Sequence, residues 1–159
     1  MIRTVLVATD GSAAAEVAVR TAAELTHSLG PNAYLHIAGV VHYADVPSVL
    51  AKHPAAAPDL LGDEIADALA AATEIAQAAG VPFEVHRVEG DVVDAIIACA
   101  EAVKADILVS GALGRGRLAR FVLGSITEKL VRTTTLPVVV VTRNSEVHGE
   151  PPPPEGPVS

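Results

Sequence analysis

Aromatic side chains make up only 3% of this 159-residue chain, and tryptophan is absent. The core must then be filled by Val, Ile, Leu and Ala, and the Phe/Tyr platforms on which single-stranded nucleic acid stacks are excluded. Basic residues are scarce as well: 11 Lys and Arg stand against 19 Asp and Glu, a formal net charge of −8 that repels a phosphate backbone. One cysteine, Cys99, can form neither an intrachain disulfide nor a four-thiolate zinc site. No run approaches about 18 uninterrupted apolar residues, the length of a membrane-spanning helix. The first residues enter a strand pattern with no charged leader and cleavage site. The expectation is a cytosolic protein that contacts neither nucleic acid nor membrane.

Half of the residues are hydrophobic and 19% are charged, enough apolar surface for one compact domain with a single core. The apolar run Ile2 to Ala8, stopped by Thr9, Asp10, Gly11 and Ser12, reads as a strand buried on both faces. Ser12 caps a helix whose inner positions are Val17, Thr21, Ala22, Leu25 and Leu29, ended by Gly30 and Pro31. Strand Ala33 to Val41 is followed by a proline-rich crossing loop over 42–59, helix Leu60 to Ala79, and strand Phe83 to Val88. A third helix opens at Gly90 and Asp91, with Asp94 as a capping-box-like partner, and ends near Lys104. Strand Asp106 to Ser110, a glycine-punctuated connection, helix Ser125 to Thr133 and strand Pro137 to Thr142 complete the alternation. Such an order predicts an α/β fold of three layers, a parallel sheet with helices on both faces. Residues 1–143 form the domain, and 144–159, proline-dense and with almost nothing to bury, read as a disordered tail.

In an open parallel sheet the ligand crevice lies beyond the carboxyl ends of the strands, where strand order reverses. Two loops suit it. In Thr9-Asp10-Gly11-Ser12, a carboxylate leaves a strand end and glycine permits a tight turn into a helix with unpaired first amides. Asp10 there could hold ribose hydroxyls or a metal, although the same tetrapeptide equally suits a plain capping turn. The second loop runs from Gly111 through Gly114, Arg115, Gly116, Arg117 and Arg120 to Gly124 and Ser125. Its glycines let backbone amides approach a ligand, and its arginines make one basic segment in an acidic chain, a combination that favours an anion such as phosphate. Ser125 with Glu128 also matches a capping box, a role that can coexist with phosphate contact.

Competing motifs fall short. A Walker loop would need a Lys-Ser/Thr pair that is missing, and Gly114-Arg-Gly116-Arg-Leu-Ala119 lacks the acidic residue about 20 positions on that would take a dinucleotide's ribose. The six histidines, His27, His36, His42, His53, His86 and His148, show no paired ligand spacing. Cys99 falls among apolar helix positions and reads as a small buried hydrophobe.

The signature Gly111-x2-Gly114-x9-Gly124-Ser125, joined to an early strand ending in Thr9-Asp10-Gly11-Ser12, resembles the universal stress protein family over residues 1 to 143. That resemblance implies a five-stranded sheet ordered 3-2-1-4-5, a dimer, and ATP or another adenine nucleotide between the loops after strands one and four. By position, Ala8, Asp10 and Ile37 would border the adenosine, Ile37 through its backbone. Gly111, Gly114 and Arg115 would meet ribose and phosphate; Gly124, Ser125 and Ile126 would bind phosphate. Thr9, Gly11, Ser12 and Gly116 complete the expected nucleotide set, with Asp10 as the candidate magnesium ligand. The chain departs from the commoner pattern at Ala112-Leu113, where a polar or basic pair often stands, and at Thr133-Thr134, where a His is frequent.

Four consecutive valines, Val138 to Val141, make an exposed last strand apt to pair with a second copy, and the resemblance points to the same homodimer. With no phosphate-neutralising lysine and no placed general base, the expected function is binding rather than catalysis, with at most slow ATP turnover. The alternatives are a nucleotide-free dimeric interaction module and, in the enzyme class, a slow ATP hydrolase or adenylyltransferase.

Overall fold

Residues 1–42, 57–112 and 124–142 are described by a computed structural model of the chain. Strand β1 (Thr4–Thr9) leads through helix α1 (Ala13–Ser28) to β2 (Tyr34–Val41). Helix α2 (Ala57–Ala79) precedes β3 (Phe83–Glu89), and α3 (Val92–Ala102) precedes β4 (Ile107–Gly111). Helix α4 (Ser125–Thr133) and β5 (Val138–Val141) close the order. All strand pairs are parallel, in the order β3-β2-β1-β4-β5 expected from the resemblance.

The alternating side chains of the strands feed two cores. Val5, Val7, Leu35, Ile37, Ile107 and Val109 pack with α1 and α2, while Leu6, Ala38 and Leu108 pack on the other face with α3 and Leu130 of α4. Two helices therefore cover each face, which is why β1, β2 and β4 are apolar on both sides rather than alternating. Chain direction across the sheet reverses between β1 and β4, making their carboxyl ends the switch point.

Local chemistry sets the element ends. Ser12 caps α1, its Oγ accepting from the Ala15 amide at 3.2 Å, as expected. Asp91 caps α3 by accepting from the Asp94 amide at 3.1 Å, so Asp94 contributes its backbone rather than a returning carboxylate. That bond, more than Lys129 at 3.7 Å, holds the Asp91 carboxyl below its ordinary range. Helix α2 begins three residues before the expected Leu60, because Pro58 in the first turn needs no amide partner and its fixed φ suits a helix start. Part of the expected crossing loop, 43–56, lies outside the described residues, as does the expected 144–159 tail. The Ser125 capping box is corrected: Gly124 is the N-cap, with no side-chain cap bond, and Ser125 is the first helical residue. Glu128 turns instead to Arg132, one helical turn on, at 2.8 Å.

Asp106, just before β4, accepts the amides of Arg3 and Thr4 at 2.8 and 2.9 Å and so ties β1 to its neighbour. Those two bonds lower its pKa below the usual carboxylate value. A depressed folded-state pKa contributes stability above the unfolded value, about 3.9, and loses it as pH falls through the folded one. Asp106→Asn is therefore expected to lower Tm at pH 7, with the gap to the parent narrowing by pH 3; equal gaps at both pH values would refute the assignment.

Candidate functional site

The end of β1 turns sharply. Gly11 takes a left-handed backbone (φ 78°) that a side chain would strain, the Asp10 carboxylate accepts the Ser12 amide at 2.9 Å, and the Thr9 hydroxyl accepts the Gly11 amide at 3.3 Å. The turn is thus organised from within, and the capping reading and the ligand reading of Asp10 share one geometry.

The end of β4 comes directly against it. A Cβ on Gly111 would lie 2.9 Å from the backbone carbon and oxygen of Ala14, in the first turn of α1. Glycine is required there for helix-strand contact, and that contact draws the turns after β1 and β4 together. Beyond it, the Ala112 amide donates to Val141 at 2.8 Å, and the Gly124 amide donates to Ala112 at 2.6 Å. The two ends of the 113–123 connection are therefore pinned to each other and to β5. Gly114, Arg115 and Gly116 of the expected site, with Arg117 and Arg120, lie outside the described residues.

Two positioning residues were missed by the sequence reading. Thr127, 3% exposed on α4, donates its hydroxyl to the Gly111 carbonyl at 2.8 Å and lies 3.3 Å from the Ser110 hydroxyl. These bonds aim the N-terminus of α4 at the end of β4. A polar Ser-Gly closing an apolar strand, followed by Thr as the third residue of a helix, was the available signal. Thr127→Val keeps the shape but strips Gly111 of its stronger donor, and should cost about 1 to 2 kcal/mol in urea unfolding. An unchanged midpoint would show that the bond is dispensable.

Of the remaining expected residues, Ser125 and Ile126 are exposed at the start of α4. Ala8 is half-buried one residue before the strand end. Ile37 stands apart from them: its side chain is wholly buried, and its backbone is level with Val7, two residues short of the level of Thr9, where Gly39 sits. Cys99 is buried on α3 as expected, and burial, with Glu84 as a lesser cause, pushes its thiol pKa up.

The histidine expectation needs correction. Across β2 and β3, His36 Nδ1 and His86 Nε2 are 2.8 Å apart, with Glu84 beside both. Ligand spacing within one segment could not reveal this, because strand register makes the pair; Glu84-x-His86 on one strand face was the sole local hint. Among the described residues, no helix is long and apolar enough to cross a membrane.

The sequence model of the Universal stress protein family matches residues 1–142. Universal stress protein Rv1636 of Mycobacterium tuberculosis is 34% identical over 150 residues, covering 87% of this chain and 95% of that protein. A crystal structure of a universal stress protein in complex with cAMP is 33% identical, with a TM-score of 0.65 over 89% of this chain and 97% of that one. The structure of protein MJ0577 superposes with a TM-score of 0.76 over 90% of this chain and 97% of that one at 24% identity, a likeness of fold.

Proposed function

The chain belongs to the universal stress protein family, and on that premise we propose that it is a regulatory protein binding an adenine nucleotide between the turns after β1 and β4. The observation that carries this reading is the Gly111–Ala14 contact, which sets the glycine turn of β1 beside the glycine-lined exit of β4. Unpaired first-turn amides of α1 and α4 both suit an anion at such a junction. Support also comes from the 33%-identical relative solved with cAMP.

In the proposed complex, Gly124 and Ser125 meet phosphate at the start of α4, and Gly114, Arg115 and Gly116, outside the described residues, supply the further contacts. Asp10 faces ribose or a magnesium ion. The purine lies by the carboxyl half of β2, where the backbone of Ile37, level with Val7, and Ala8 beside it on β1 would border the adenosine. ATP is the ligand of choice for a basic loop able to neutralise several phosphates, and the chain's role is binding in the cytoplasm rather than turnover.

Mass spectrometry of ligand released from freshly purified protein, with calorimetric titration of ATP and cAMP, tests the reading. An adenine nucleotide released or bound at one site per chain is the expected result. Absence of both would leave a nucleotide-free interaction module, and sustained phosphate release over many turnovers would make the protein an enzyme.

A homodimer through β5 belongs to the same proposal. Strand β5 is an edge of the sheet and Val138, Val139 and Val140 remain half-buried in the single chain, so a second copy would complete their burial. Val140→Lys should convert the dimer to monomer in sedimentation; a dimer that persists would place the interface elsewhere.

A further inference from the structure

Away from the crevice, register assembles a second chemistry. His36 is the third residue of β2, and Glu84 and His86 are the second and fourth of β3. Pairing sets His36 opposite Glu84 and Ala38 opposite His86. A period of two along each strand then puts all three side chains on the sheet face that carries α3. They lie toward the amino half of the two strands, whereas the crevice lies beyond the carboxyl ends of β1 and β4.

The three polar atoms form a closed triangle. His36 Nδ1 and His86 Nε2 are 2.8 Å apart, and Glu84 Oε2 stands 3.8 Å from the first and 3.9 Å from the second. The point equidistant from the corners of a triangle with those sides lies about 2.1 Å from each, close to the bond length of zinc to imidazole nitrogen or carboxylate oxygen, and a tetrahedral ion would open the nitrogen pair from its hydrogen-bonded separation to roughly 3.3 Å. Without a cation, the two imidazoles share one proton and Glu84 is too far to accept a hydrogen bond from either. A carboxylate thus points at a nitrogen pair that it does not reach, at the distance a shared central ion would span. Among the described residues no other three His, Cys, Asp or Glu side chains converge in this way.

We propose that His36, Glu84 and His86 bind a divalent transition-metal ion of the zinc class, with solvent completing the coordination. Two imidazoles and one carboxylate select zinc-like ions over magnesium or calcium, which prefer all-oxygen shells. Exposure is graded to suit: the side chain of His36 is 11% exposed, His86 21% and Glu84 59%, so the ion enters from the Glu84 side and keeps an open position there. Tyr34 supports the set, its ring against His36 at 5.0 Å and its hydroxyl donating to the Phe83 carbonyl at 3.2 Å. The Cys99 thiol, on the α3 side, is not among the three converging groups. The ion would clamp edge strand β3 to β2.

The test uses the full chain, stripped with chelator, titrated calorimetrically with zinc chloride and followed by the visible absorption of cobalt(II). One strong site per chain is expected. His86→Asn and Glu84→Gln should each weaken it at least by the roughly 10- to 100-fold that loss of a mere supporting partner costs, while His27→Asn at the exposed end of α1 leaves it unchanged. Glu84 is exposed enough that its variant folds as the parent does, which melting by circular dichroism checks. No stoichiometric zinc binding by the parent, or parent-like affinity in both variants, overturns the proposal.

Discussion

Gly124→Asp is expected to leave the protein as stable as the parent or more so, while adenine-nucleotide affinity falls at least about tenfold. Gly124 is the N-cap of α4, makes no side-chain cap bond, and has φ −58° and ψ 149°, a conformation any residue adopts. Aspartate is among the best N-caps, better than glycine by roughly a few tenths of a kcal/mol, and its charge agrees with the helix dipole. The same charge would face phosphate in the proposed complex. Two like charges about 4 Å apart cost on the order of 4 kcal/mol at the effective dielectric of a protein surface, and a third of that is already tenfold. Calorimetry with ATP and cAMP beside a thermal melt reads both effects. Undiminished affinity would exclude the start of α4 as the anion seat, and a lower Tm would contradict the capping argument.

The β-α order was legible because β1, β2 and β4 are buried on both faces, and β-branched runs bounded by glycine, serine and aspartate say so directly. Ends were less legible. Ile2 extends the apolar run, yet it is 38% exposed, and paired strand begins at Thr4, the second of the two residues whose amides Asp106 holds. Ser125 matched a capping box by pattern, but Arg132 offers Glu128 a partner one turn on, and the Gly124 backbone starts the helix. Gly111 was noticed for its freedom to let a ligand approach; its requirement is the 2.9 Å contact with Ala14, a tertiary fact that no local pattern carries. The His36-Glu84-His86 group was invisible for the same reason, since only the pairing of β2 with β3 joins residues so far apart in sequence.

Gly111 is accordingly where fold and site are most tightly coupled, and Gly111→Val should show it. Its Cβ would meet Ala14 carbonyl carbon and oxygen at 2.9 Å and the Ala14 Cβ at 3.3 Å. The first two atoms are backbone in the capped first turn of α1, so they cannot rotate away as a flexible side chain would. On the other side, Thr127 holds the Gly111 carbonyl and Ala112 is bonded to both Val141 and Gly124, so β4 cannot retreat either. Overpacking between two fixed backbones belongs at the upper end of the usual range, about 3 kcal/mol, from a total stability on the order of 5 to 15 kcal/mol. Whatever relief occurs must part α1 from β4, and hence part the two turns proposed to share the nucleotide. Urea unfolding and ATP titration should therefore fail together in this variant, in contrast to Gly124→Asp, where they separate. Parent-like stability would mean that α1 yields at no cost, and full stability loss with intact affinity would mean that the nucleotide does not depend on the junction of these turns.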